Sequence, residues 1–176
     1  MSGFIEWLEE LNRKDTRIRA VLRRSLSFEP GAYPSAYPYV EPFVKGEENE
    51  WQREVHYLIA SLWAQHWKGD RVGAPETLSR ASLGYYRSQE NSPSVERRFI
   101  SLLDSDEDQL TYRLRQMTAL LKEYPLDFPS LLKDLLFWNH DKKWVQNKWA
   151  REFYRGWDLD KEDDDNDVSK TKEEVK

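Results

Sequence analysis

Four prolines stand at four-residue intervals, at Pro30, Pro34, Pro38 and Pro42. Proline lacks a backbone N–H and its ring clashes with the preceding turn, so no continuous helix can cross this stretch. Phe28, Tyr33, Tyr37 and Tyr39 interleave with the prolines. The segment from Phe28 to Pro42 therefore reads as ordered, extended chain pinned by its aromatic rings. It separates a short helical arm from a longer helical body.

The arm carries Phe4, Ile5, Leu8 and Leu11 at helical spacing, which predicts a first helix over about 2–12. Asp15 can cap a second helix, in which Ile18, Val21 and Leu22 form a narrow apolar stripe among Arg17, Arg19, Arg23 and Arg24. After the prolines a long helix is predicted over about 48–67, with Val55, Leu58, Ile59, Leu62 and His66 on one face. The glycines and proline of 68–75 read as a mobile loop. A helix over 77–88 follows, weakened by Gly84. Ser92-Pro93 is a helix start with Val95, Phe99, Leu102 and Leu103 inward. Ser105 and the acids after it open another, with Leu110, Leu114, Met117 and Leu121 inward. Pro129 opens a helix with Leu132, Leu135 and Leu136 inward. Asp141 can cap a last helix that reaches Gly156.

No convincing strand alternation or internal repeat interrupts this pattern. The fold class expected is all-α, a two-lobed helical bundle. Residues 1–90 would form an N-terminal lobe carrying the proline-aromatic segment. Residues 91–157 would form a C-terminal bundle, and 158–176 an acidic, disordered tail. No stretch approaches the roughly 18–20 apolar residues of a membrane span. The first ten residues lack the basic-then-apolar pattern of a signal peptide, so a cytoplasmic location is expected.

The residue inventory excludes much chemistry. Cys is absent and the only histidines are His56, His66 and His140, so thiol nucleophiles and thiolate metal sites are ruled out. No glycine-rich phosphate loop, His-Glu-x-x-His pair or nucleophile elbow occurs. His66 reads as a satisfied helix histidine, while His56 and His140 sit in polar sequence. The acidic pairs lie at helix starts or on solvated faces. No catalytic residue, metal or cofactor is expected.

Charge points to a different class of function. Of 32 acidic and 27 basic residues, nine and four fall in 158–176, leaving a body balanced at 23 and 23. Any preference must then come from where the charges sit. Trp144, Lys148, Arg151 and Arg155 fall at i, i+4, i+7 and i+11 of the last helix, on one face. Val145, Trp149 and Phe153 fall nearly opposite. A basic stripe carrying one aromatic suits a phosphate backbone, and Lys142 and Lys143 extend it. Arg97, Arg98, Arg113 and Arg115 also lie off the apolar stripes. Each cluster alone reads equally well as a solvated face with ion pairs. Together, on a body without catalytic residues, they favour nucleic acid. The eight tryptophans serve packing in the ordinary reading and base stacking in the sharper one. A helical protein–protein adaptor is the alternative.

Between Leu22 and Tyr154 the chain resembles the CasB family, the small subunit of the type I-E CRISPR surveillance complex called Cascade. The resemblance rests on Leu22-Arg23-Arg24, on Ala36-Tyr37-Pro38 through Pro42-Phe43, and on Ser82-Leu83-Gly84. It continues through Val95-Glu96-Arg97-Arg98-Phe99, Arg113-Leu114-Arg115-Gln116, Leu126-Asp127-Phe128 and Trp149-Ala150-Arg151-Glu152-Phe153-Tyr154. No single motif is specific; order and spacing carry it. The resemblance implies an all-α protein of two lobes, with two copies packed head to tail beside the other Cascade subunits. It implies contact with guide RNA and target DNA, including the displaced strand, and no catalysis. The family's basic surface maps onto Arg23, Arg24, Arg97, Arg98, Arg113, Arg115, Lys142, Lys143 and Arg151. Tyr85 stands where relatives often carry a basic residue, and the acidic tail has no counterpart.

Overall fold

The computed structural model describes residues 3–44, 49–69 and 73–156. Among them the chain is helical throughout, with no strand and one isolated parallel bridge between Glu76 and Leu126. The expected helix start at Glu48, part of the 68–75 loop and the acidic tail lie outside the described residues. The all-α expectation holds.

Helices α1 (Phe4–Lys14) and α2 (Arg17–Arg24) bury Phe4, Ile5, Leu8, Ile18 and Leu22. The Asp15 carboxylate accepts the Arg17 amide at 3.0 Å, but the cap position of α2 falls on Thr16, whose side chain accepts no hydrogen bond there.

The proline segment is not extended as expected. It coils into single turns, a 3-10 turn at Pro34–Ala36 and then α3 (Tyr37–Val40); another 3-10 turn, Ser25–Ser27, precedes it at the end of α2. Proline is excluded from helix interiors but suits a first turn, where its missing N–H would have no partner anyway. Pro34 and Pro38 occupy those positions. The turns are held by side chains from elsewhere. The Trp7 indole N–H donates to the Tyr39 carbonyl at 2.9 Å. Arg53 pairs with Glu41 at 2.6 Å, and the Tyr57 hydroxyl donates to the same carboxylate at 2.7 Å. Burial pushes the Glu41 carboxyl up, but these two hydrogen bonds outweigh it and hold the group below the usual carboxylate range. Gly31, at φ +83°, lets the chain pass Arg53; a Cβ there would meet its guanidinium at 2.6 Å.

The centre of the protein is α4 (Glu50–His66), started by a reciprocal Asn49–Gln52 cap. Its periodicity marks one apolar face, yet every residue from Val55 to Ala64 is buried. The reason is that α4 is wrapped: α2 and α3 pack on it, and so do α7 (Glu107–Leu120) and α8 (Phe128–Leu136). His56, placed by sequence in polar surroundings, is buried in an edge-to-face contact with Phe4, ring centres 5.0 Å apart. His66 hydrogen-bonds the Leu121 carbonyl at 2.9 Å.

The remaining helices are α5 (Leu78–Ser88), α6 (Pro93–Leu103) and α9, over 144–156. Gly84 of α5 marks a close approach, since a Cβ there would meet the Tyr124 ring at 3.0 Å. Two expected caps move. Asp106, not Ser105, caps α7 by accepting the Gln109 amide at 3.0 Å, while Ser105 is buried. The α9 ladder begins at Lys143, whose carbonyl accepts the Asn147 amide at 2.9 Å; Asp141 lies in the preceding turn. All these helices share one apolar core. In it Phe153 stacks on Phe99 at 4.4 Å and Trp138 meets Trp149 at 5.2 Å. No described helix is long and apolar enough to cross a membrane.

Candidate nucleic-acid interface

The two sides of α9 differ as its spacing requires. Val145, Trp149 and Phe153 are fully buried, while Arg151 and Arg155 are exposed. Lys148 is only half exposed, because its ammonium sits 2.6 Å from the buried Asp134 carboxylate. Trp144 is half-buried and leans on the exposed Phe137 ring at 5.6 Å. Lys142 and Lys143 are exposed at the N-terminal end of α9, with no ion pair to any described residue. Cations there oppose the helix dipole, so an external anion would relieve them.

A second group gathers between α6 and α7. Ser94, Arg97, Arg98 and Ser101 follow one another at helical spacing along α6. Opposite them stand Tyr112, Arg113, Gln116 and Met117 of α7, enclosing an open cleft of about 360 Å3. Three arginines line it and no carboxylate does. The nearest acid in sequence, Glu96, points elsewhere and accepts the Tyr154 hydroxyl at 2.9 Å. Arg97 and Arg98 are exposed and make no ion pair with any described residue. Arg113 is oriented by hydrogen bonds to the Ser101 carbonyl and the Ser105 hydroxyl, which turn it along the cleft wall. Like charges held together without counter-ions raise the local potential and attract anions. Guanidinium groups match phosphate geometry with two parallel donors.

The other predicted residues are not brought to this cleft. Arg115 shares α7 but turns away, donating to the Phe28 carbonyl at 2.8 Å. Burial lowers its pKa, with only weak compensation from Glu29. Arg23 and Arg24 are exposed at the end of α2. Sequence reading missed Ser94, Tyr112 and Gln116 as lining residues. The signal was present: Tyr112 and Gln116 are four apart on the non-core side of α7, facing a polar stripe on α6.

The family model described as "CRISPR-associated protein Cse2" matches residues 18–154. A curated relative, "CRISPR-associated protein Cse2" of Thermus thermophilus, is 45% identical over 154 residues, spanning 86% of this chain and 88% of its own. The crystal structure of CasB from Thermus thermophilus aligns with a TM-score of 0.77 at 47% identity, covering 88% of this chain and 99% of that one. A chain of a structure described as "CRISPR RNA-guided surveillance complex" aligns with a TM-score of 0.73 at 19% identity, covering 92% and 99%.

Proposed function

Because the chain belongs to the CRISPR-associated Cse2 family, we propose that it is a non-catalytic small subunit of an RNA-guided Cascade surveillance complex. In this reading it works in the cytoplasm, in antiviral defence, and grips the backbones of guide RNA and target DNA while stabilising the displaced strand. Two copies would lie beside the other subunits, each a two-lobed body divided near residue 90. The observation that carries the reading is the carboxylate-free cleft of Arg97, Arg98 and Arg113. Arg23, Arg24, Lys142, Lys143, Arg151 and Arg155 would add exposed cations along the backbone. Arg115 and Lys148 would contribute by holding their helices in place, since their charged ends already have partners.

The test is a salt titration of binding to unrelated nucleic acids, wild type against Arg97→Gln/Arg98→Gln. For each phosphate no longer neutralised, the slope of log affinity against log salt should fall by about 0.9 on duplex and about 0.7 on single strands. An unchanged slope would reject the cleft as a phosphate site. A second reading, a protein adaptor that does not touch nucleic acid, draws on the Phe137 ring, which is 49% exposed beside Trp144. In that case Phe137→Ala would block assembly while nucleic-acid affinity stayed constant.

A further inference from the structure

Tyr112 is the most exposed large hydrophobic side chain among the described residues, at 65%. Exposing that much ring forgoes burial that the core could have used. Its hydroxyl is nevertheless held, by the Gln116 amide at 2.9 Å one turn along α7. A tethered ring keeps one orientation without losing its open faces. No other ring and no cation of the described residues lies against it, unlike the three other exposed aromatic rings, of which Tyr154 packs edge-on against Phe153. Phe28 is already stacked on Tyr33 at 4.7 Å, and Phe137 leans on Trp144. Tyr112 is therefore an oriented, unoccupied aromatic face beside three arginines, above the buried Met117.

We propose that the α6–α7 cleft takes one unpaired nucleotide, its base lying on Tyr112 and its phosphate held by Arg97 and Arg98. This rests on the reading of the cleft as a phosphate site and adds the class of strand it accepts. Stacking on a ring needs a base whose face is open, which a base inside a duplex does not offer. The cleft is small as well. At about 360 Å3 it lies at the lower end of the roughly 300–1,000 Å3 spanned by small-ligand pockets, a size suited to one nucleotide. The arginines hold any backbone, whereas Tyr112 makes the cleft prefer single strands. Every base has a π-face, so the preference is for strandedness and not for sequence.

The experiment uses the full chain and four probes of one sequence: single-stranded DNA, single-stranded RNA and the duplex of each. One base in each carries the fluorescent analogue 2-aminopurine. Tyr112→Leu, which keeps an apolar side chain at an exposed helix position, is compared with Tyr112→Phe, Arg97→Gln/Arg98→Gln and wild type. All are checked for helicity by circular dichroism. The expected result is that Tyr112→Leu weakens single-strand binding about five- to a hundredfold. Duplex binding and the salt slope stay unchanged, and Tyr112→Phe retains at least half the stacking quench. Whichever single strand shows the loss, DNA or RNA, identifies the natural source. If Tyr112→Leu leaves single-strand binding intact while the double arginine variant weakens it, the stacking inference fails and the phosphate reading stands. If Tyr112→Leu weakens duplexes and single strands equally, the inference also fails. If neither variant changes any affinity, both readings fall.

Discussion

The indole N–H of Trp149 donates to Oδ2 of Asp134 at 2.7 Å, while Lys148, the preceding residue at the edge of the solvent-facing side of α9, donates to Oδ1 of the same carboxylate at 2.6 Å. One buried acid on α8 thus anchors both the inward and the outward face of the last helix. The basic face of α9 is consequently not a free surface, and its residues respond unequally to mutation.

Lys148→Ala leaves half of a buried carboxylate without a donor. An unsatisfied buried acceptor costs about 1–3 kcal/mol, and the Lys148 side chain, 39% exposed, puts the loss towards the lower end. Arg151→Ala and Arg155→Ala, exposed and unpaired among the described residues, should change stability by less than about 0.5 kcal/mol. Urea unfolding of the three single variants orders them. Equal effects would show that the Asp134 anchor does not hold.

Phe153→Ala and Trp149→Ala remove rings from the packed centre around Phe99 and Trp138. Each should lower stability by about 3–5 kcal/mol. Trp149→Phe separates the two contributions, because it keeps most of the volume and loses only the bond to Asp134. Its cost should be clearly smaller than that of Trp149→Ala in the same denaturation series.

Tyr154 is pushed up to about 12, first by burial and then by its hydrogen bond to Glu96. An unfolded tyrosine titrates near 10. The raised value means the folded protein keeps this proton longer than the unfolded chain. The stability it contributes is complete below about pH 10 and is lost as pH rises through about 12. Tyr154→Phe should therefore melt below wild type at pH 8, with the gap closing between about pH 10 and 12. A gap independent of pH would separate Tyr154 from the alkaline transition.

Removing residues 158–176 takes away nine acidic and four basic side chains, a net change of five positive charges. Long-range repulsion of phosphates should weaken accordingly, so nucleic-acid affinity rises. The gain should shrink towards nothing near 1 M salt, where screening extends only about 3 Å. Anisotropy titrations at two salt concentrations check it.

Local pattern made most of the helices legible, since Val95-Phe99-Leu102 and Leu110-Leu114-Met117 bury as their spacing demands. Three things were not legible, each because a distant partner decides it. The proline segment coils because Trp7, Arg53 and Tyr57 supply hydrogen bonds from other helices. His56 is buried because Phe4, 52 positions earlier, covers it. The cleft forms because α6 and α7 face each other, so no single helix displays Arg97, Arg98, Arg113 and Tyr112 together. Sequence named the three arginines one cluster at a time, and left out Tyr112, whose importance lies in what does not touch it.

The wrapping of α4 bears on how the protein is made. The continuous burial of its residues from Val55 to Ala64 is completed by α7 and α8, whose last residue is Leu136. The Trp51 indole waits still longer in sequence terms, since its acceptor, the Leu135 carbonyl, lies 84 residues away. A ribosome adding about 5–20 residues per second exposes α4 for several seconds before those partners emerge. Folding must then wait for the C-terminal half, and a nascent chain stalled near residue 100 would present an unshielded hydrophobic rod. Ribosome-bound intermediates of that length should recruit chaperones, and those extended past α8 should release them.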